Sequence, residues 1–409
     1  MQACLVKTQE FPLCGIDLYR EFPDLKTVVL YNPGYVLEIC NINEFVICIW
    51  REQIGWRDFM QAHPEEPIRC MIDLITHRCE RGLPTGVIYD FSHEGWSNPN
   101  HLRDVVVWFS GLGLNCKQDL LMLYHSNHST KQPQFDDSTY RFFPWILEYN
   151  WPAVDALYWL GKRPDKFSAL PLKHRPNLIS ITASKLRQKN WRTWTIYEFY
   201  RQGLFPYSLL SICGTVNEFA ELIDDREFLD QIDQRISVFG IDRAQNLGTS
   251  IGSTNMQNGS ETSTRSLYAH SRIHCILETS GQDVLNGHRY CNARLTEKFY
   301  RTVANRSAFT VLGAKGIYQL IDGLGFQTFE PLITEYLNFD HIPDPKEKCQ
   351  RIVELTGELR RQSDSLLDRM QEIADYNFEH FYSDAVLETK RYHTIIDQFI
   401  DKLKTKQRL

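Results

Sequence analysis

Lys298 lies in LTEKFYRTVANRSAFTVLG (residues 295–313), whose apolar spacing predicts a helix with that lysine in its first turn. A helix N-terminus carries about half a unit of positive charge, so a lysine there costs a few tenths of a kcal/mol unless an anion is near. Thr296 suits the N-cap, Glu297 favours the first turn, and Phe299 and Val303 supply the buried stripe. A diphosphate held by helix N–H groups and Lys298 turns that cost into a charge-assisted gain; a solvated surface lysine is the plainer use.

Three groups able to take a proton, Asp90, His93 and Glu94, stand together in YDFSHEGW (89–96). The apolar run TGVIYDFS (85–92) reads as a strand, so this loop falls at a carboxyl end, where α/β sheets bind ligands. Capping the next helix is their alternative use. His125 and His128 in YHSNHS are three apart, a spacing open to a metal but more ordinary for polar surface or substrate contact.

The elements that must position these groups alternate. KTVVLY (26–31) and EFVICIW (44–50) read as strands, IRCMIDLITHRCERG as an amphipathic helix, and TGVIYDFS as a strand. The helix NPNHLRDVVVWFSGLGL and the strand DLLMLYHS (119–126) then complete a βαβ unit. The Pro-rich GKRPDKFSALPLKHRPN (161–177) suits a linker. Beyond it come the strand LISITA, a helical pattern from Arg192 to Gly203, the strand SRIHCILETS (271–280), and the Lys298 helix with its strand AFTVLG. The helix KGIYQLIDGLG (315–325) and a short strand FQTF end the series. Both halves are therefore α/β. NLGTSIGSTNMQNGSETSTRS (246–266) is too polar to order itself, as a mobile insertion or as a lid over substrate. From about residue 346 the pattern is helical and charged.

With 409 residues the chain exceeds one ordinary core and predicts two domains. Its 43% apolar and 23% charged content is that of a soluble protein, and no apolar run spans a bilayer. The opening MQACLVKTQEFPLCG lacks the basic start and apolar stretch of a secretory signal, so the expected location is cytoplasmic, or the host cytoplasm for a viral protein. Eleven scattered cysteines without a C-x-x-C pair indicate neither a zinc ribbon nor a disulfide framework. A net charge of −6 gives no global attraction to nucleic acid or anionic lipid, so no membrane partner is expected. A local basic groove is compatible with it. KLRQKNWRTW interleaves Lys185, Arg187, Lys189 and Arg192 with Trp191 and Trp194, and KLKTKQR adds a second cluster near the C-terminus. Donor-phosphate binding and a solvated tail are their alternative uses.

LETS (277–280), RLTEKFYRTVANRSAFTVLGAKGIYQLIDGLGFQTF (294–329) and ITEYLNF (333–339) together resemble a glycosyltransferase-like family of phages, other viruses and bacteria. The T-E-K core is similar to that in the donor half of alpha-1,3-fucosyltransferases. The resemblance spans about 270–360, is looser over 175–215, and is one of pattern over 1–170. It implies a GT-B-like fold, two Rossmann-like domains facing across a cleft with a helical C-terminal segment. The implied bounds are 1–165 for the acceptor domain, 166–375 for the donor domain and 376–409 for the C-terminal helix and basic tail.

The resemblance further implies that Glu297 bonds the ribose or sugar of a nucleotide-sugar donor while Lys298 neutralises its diphosphate. Glu278 faces the same cleft, and Arg187 and Arg192 are the candidate phosphate clamps. The segment departs from the family's usual asparagine-arginine opening, which leaves both arginines open. No cofactor is implied; the donor is a co-substrate, a UDP-sugar foremost. Lys, Arg and helix dipole can neutralise a leaving diphosphate without metal, and the chain contains no Asp-x-Asp. Inversion needs a base from the other domain, with Glu94 first, then His93, beside Asp90. Lys185, Lys189, Trp191 and His125 are the candidate acceptor contacts. Acceptors consistent with this donor half are a 5-hydroxymethylated pyrimidine in phage-type DNA, or a glycan, protein or small molecule. A noncatalytic nucleotide- or nucleic-acid-binding module is the reading of a different class.

Overall fold

In this computed structural model the described residues are 3–7, 25–29, 46–51, 66–90, 99–124, 146–148, 170–183, 190–212, 215–238, 271–278, 295–332, 344–360 and 363–406, with Leu186 and Ile342. The chain forms two compact units. The first comprises Met1–Asn127, Lys131–Tyr158 and Ala385–Leu409, and the second His128–Thr130 and Trp159–Asp384.

The first unit is built on β1 (Ala3–Lys7), β2 (Leu25–Val29), β3 (Val46–Arg51), α1 (Glu66–Glu80), β4 (Thr85–Asp90), α2 (Pro99–Gly111), the single turn α3 (Cys116–Asp119), β5 (Leu120–Tyr124) and β6 (Ile146–Glu148). Its sheet runs β2-β1-β3-β4-β5-β6, every pair parallel. Parallel strands are covered on both faces, which is why Val46–Cys48, Val87–Tyr89 and Leu120–Met122 read as unbroken apolar runs and are buried. On α1, Met71, Leu74, Ile75 and Arg78 share one buried stripe at helical spacing. Arg78 turns its charge to the amino end of β4: Nε donates to Thr85 Oγ1 at 3.1 Å and Nη2 to Pro84 O at 2.9 Å.

The second unit contains β7 (Asn177–Ala183), α4 (Asn190–Arg201), β8 (Ser208–Ile212), α5 (Val216–Ala220), α6 (Arg226–Val238), β9 (Ser271–Leu277), α7 (Glu297–Ala304), β10 (Ala308–Leu312), α8 (Ile317–Gly323), α9 (Pro345–Arg360) and the part of α10 (Asp364–Lys406) up to Asp384, the rest of that helix belonging to the first unit. Its sheet runs β10-β9-β7-β8, again all parallel. From β7 the chain winds outward through β8 on one side, then crosses back to build β9 and β10 on the other. The reversal lies between β7 and β9, the place where doubly wound sheets bind ligands at their carboxyl ends.

The amino edge of this sheet is held by Arg175. Its Nε donates to Leu170 O at 2.8 Å, Nη1 to Ser271 O at 2.9 Å and to Ser307 Oγ, and Nη2 to Asn305 O at 2.8 Å and Arg306 O at 2.9 Å. One side chain thus ties the segment before β7 to the starts of β9 and β10. Burial pushes its guanidinium down to about 10, so at neutral pH these acceptors still meet a cation.

The α/β class, the parallel sheets and the helical C-terminal segment agree with the sequence reading. FQTF is corrected: Phe326–Phe329 is not a strand. Gly325 turns the chain at φ +83°, and Gln327 gives its N–H to Asn377 Oδ1 (2.7 Å) and its carbonyl to Asn377 Nδ2 (2.8 Å). An amide side chain of α10 takes the backbone groups that a neighbouring strand would need. Phe326 and Phe329 are buried in a ring cluster with Phe299, Tyr300 and Phe309, which Phe381 and His380 of α10 join. The periodicity also left β1, β6 and β8 unassigned. The insertion at 246–266 lies outside the described residues.

Candidate functional site at the carboxyl edge of the second sheet

β9 is buried at every position but the half-buried Arg272 and delivers Glu278 one residue past its end. The Glu278 N–H bonds Leu312 O at 2.9 Å, extending the β9–β10 ladder by a rung and fixing the side chain's departure. That side chain is fully buried, and its Oε1 accepts the Thr296 N–H at 2.8 Å. Thr296 is the N-cap of α7, extended at φ −103° and ψ 179°, with its hydroxyl accepting the Lys298 N–H at 3.4 Å. Lys298 folds back over the same cap, Nζ to Thr296 Oγ1 at 3.3 Å, and is only 2% exposed. A carboxyl oxygen therefore does stand at this helix N-terminus, and it belongs to Glu278.

Arg192 reaches the same place from α4. Its Nη2 donates to Leu277 O at 3.0 Å, next to Glu278 in the chain, and the residue is fully buried. Trp191 is 2% exposed, and its ring centroid lies 5.9 Å from the Arg192 guanidinium carbon. A ring so enclosed offers no open surface on which a base could stack. Sequence reasoning passed over Lys348 on α9, whose Nζ donates to Gly313 O at 3.1 Å, just past β10, with the residue 3% exposed. A lysine in a first turn was the signal that could have found it, as for Lys298.

Of the sequence-derived candidates, Glu278, Thr296, Lys298, Arg192 and Trp191 thus belong to the carboxyl edge of β7, β9 and β10. The backbone of Glu297 opens α7 and that of Asp90 closes β4; their side chains lie outside the description. So do His93, Glu94, His125, His128, Lys185, Arg187 and Lys189. Cys275 on β9 and Cys349 on α9 are buried beside this edge, with Cys349 Sγ donating to Trp191 O at 3.5 Å. Burial pushes both thiols up to about 12, which keeps them neutral and poor nucleophiles at physiological pH. Among the described residues no His, Cys, Asp and Glu cluster is arranged to hold a metal, and no helix is long and apolar enough to cross a membrane.

No protein-family model matches the chain. No curated protein matches it either. Among solved structures it is similar to the α,α-trehalose 6-phosphate synthase of Burkholderia multivorans, at 10% identity over 91% of this chain and 74% of that chain, with a TM-score of 0.41. It is similar also to a UDP-forming α,α-trehalose-phosphate synthase of Burkholderia vietnamiensis, at 11% identity over 91% and 77%, with a TM-score of 0.39. At these scores neither likeness carries an argument about what this chain does; its own side chains must.

Proposed function

We propose that this chain is a glycosyltransferase of GT-B type that moves a sugar from a nucleotide-sugar donor, a UDP-sugar foremost, to an acceptor hydroxyl without a divalent metal. The observation that supports this is the meeting of Arg192, Lys298 and the capped N-terminus of α7 at the reversal point of a parallel sheet. Donors preorganised there stabilise the charge that develops on a departing nucleoside diphosphate. Lys298 and Arg192 face the phosphates, Glu297 bonds the ribose, and Glu278 holds α7 in position. Arg187 remains a second clamp. The N-terminal unit supplies the base from the segment holding Asp90, His93 and Glu94.

For the acceptor we propose a 5-hydroxymethylated pyrimidine in phage-type DNA, on the strength of Lys185, Lys189 and the basic KLKTKQR segment. Trp191, read from the sequence as an acceptor contact, is buried, and we assign it instead to the donor side beside Arg192. A glycan, protein or small-molecule acceptor is compatible with the same donor half.

Thermal shift with UDP-, GDP-, CMP- and dTDP-sugars tests the donor; at 100 times its dissociation constant the right one stabilises by about 2.7 kcal/mol. The stabilising donor is then incubated with DNA containing 5-hydroxymethylcytosine or 5-hydroxymethyluracil, and the nucleosides are weighed by mass spectrometry. Sugar on the base, lost in Glu94→Gln, supports the full reading. Transfer only to a glycan or small molecule overturns the DNA acceptor, and stabilisation without any transfer favours the noncatalytic module.

A further inference from the structure

Three helices of the second unit repeat one anomaly. Arg192 is the third residue of α4, Lys298 the second of α7 and Lys348 the fourth of α9, each a cation in a first turn and each nearly or fully buried. All three belong to the same sheet edge. Leu277 and Leu312 are register partners on β9 and β10; Arg192 bonds the carbonyl of the first, and Lys348 that of Gly313, the residue after the second. Cys349, next to Lys348, bonds the carbonyl of Trp191, so α4 and α9 close on each other there.

An independent observation points to a ligand. The Trp191 indole Nε1–H is buried without a hydrogen-bond partner, although its ring lies beside the Arg192 guanidinium. A dry indole N–H is unfavourable, native structures hold few such groups, and an incoming anion is one partner that would satisfy it. Resting on the donor reading above, we propose that Trp191 Nε1–H and Lys348 Nζ, flanking Arg192, receive the second phosphate of the donor's diphosphate while Lys298 and α7 receive the first. The site then recognises two linked phosphates, and a nucleoside monophosphate fills half of it.

The test uses the full-length protein with inorganic pyrophosphate and inorganic phosphate as probes. By calorimetry, Lys348→Met should reduce the preference for pyrophosphate over phosphate about tenfold, as expected for a lost charge-assisted hydrogen bond, and Lys348→Arg should retain most of it. A merely structural lysine would weaken both anions by the same factor, and that result overturns the proposal. In protein labelled with 15N-tryptophan, the indole signal identified by its absence from Trp191→Phe should move downfield with pyrophosphate and stay in place with chloride. This measurement needs no Lys348 variant to fold, and an indole signal unmoved at saturation also overturns the proposal. If wild type binds neither pyrophosphate nor any nucleoside diphosphate, the donor reading itself has failed; if it binds them without the two-phosphate preference, only this inference has.

Discussion

At the amino edge of the second sheet, Arg175 hands its guanidinium to backbone carbonyls of three segments and to the Ser307 hydroxyl. At the carboxyl edge, Arg192, Lys298 and Lys348 are as deeply buried: Arg192 and Lys348 each donate to a backbone carbonyl and Lys298 to a cap hydroxyl, at 3.0 to 3.3 Å. This edge gathers three first-turn cations, one each from α4, α7 and α9, and helix N-termini of this kind favour negative charge. The first unit repeats the architectural version, with Arg78 bonded to Pro84 O and Thr85 Oγ1 at the start of β4. Buried arginine alone therefore does not mark a site; the strand end it serves does.

The strongest way to break this contrast is at Arg175. Arg175→Met strands several buried carbonyls at once and should cost about 4 kcal/mol in urea unfolding. Pyrophosphate affinity of the remaining folded protein should be unchanged, and a variant that folds as well as wild type while losing the anion would reverse the two edges' roles. Lys298→Ala should do the opposite: donor affinity falls about 100-fold, equivalent to about 2.7 kcal/mol, while unfolding free energy falls by no more than about 1 kcal/mol. Calorimetry and urea titration on the same sample separate the two numbers.

The body of the sheet, between its edges, answers to alkaline pH. Cys275 and Cys349 keep their protons in the fold up to about 12, against an ordinary value near 9. Their contribution to stability is complete below pH 9. Above it the unfolded chain gives up protons that the folded one retains, so stability falls by up to about 1.4 kcal/mol per pH unit for each thiol. Cys275→Ala should flatten the decline measured from pH 9 to 11; an identical slope would place the alkaline sensitivity elsewhere. The smallest effect belongs to Glu278→Gln, which keeps an acceptor for the Thr296 N–H but removes its charge. Stability should fall by about 1 kcal/mol and pyrophosphate binding should tighten a few-fold. Tenfold weaker donor binding would instead make Glu278 a donor contact.

Much of this was legible in the sequence. The strands β3, β4, β5, β7, β9 and β10 are compact apolar runs because parallel strands are buried on both faces, and α1 and α7 show helical stripes. The anomaly of Lys298 pointed to an anion, and Thr296 to a cap. What could not be read is which group meets the cap: Glu278 lies eighteen residues upstream and bonds Thr296 only once β9 and α7 are folded side by side. Lys348 and Trp191 needed α9 to return onto α4 after 150 residues of chain, beyond the reach of periodicity. FQTF failed for the same reason, since Asn377, the residue that satisfies its backbone, sits on a helix fifty positions later.

The docking of α10 has a consequence for cutting the chain. Beside the paired hydrogen bonds of Asn377, Phe381 lies 5.9 Å from the Tyr300 ring and His380 lies 4.8 Å from that of Phe326. At Gly325 a Cβ would come within 2.7 Å of His380 Nε2, so even a methyl group there would push that ring off the Leu324 carbonyl it contacts. A recombinant second unit stopped at residue 363 would expose that aromatic surface to water and be prone to aggregate. A soluble fragment must run past Tyr382, and a protease cleaving ahead of α10 would release a sticky product rather than a working half.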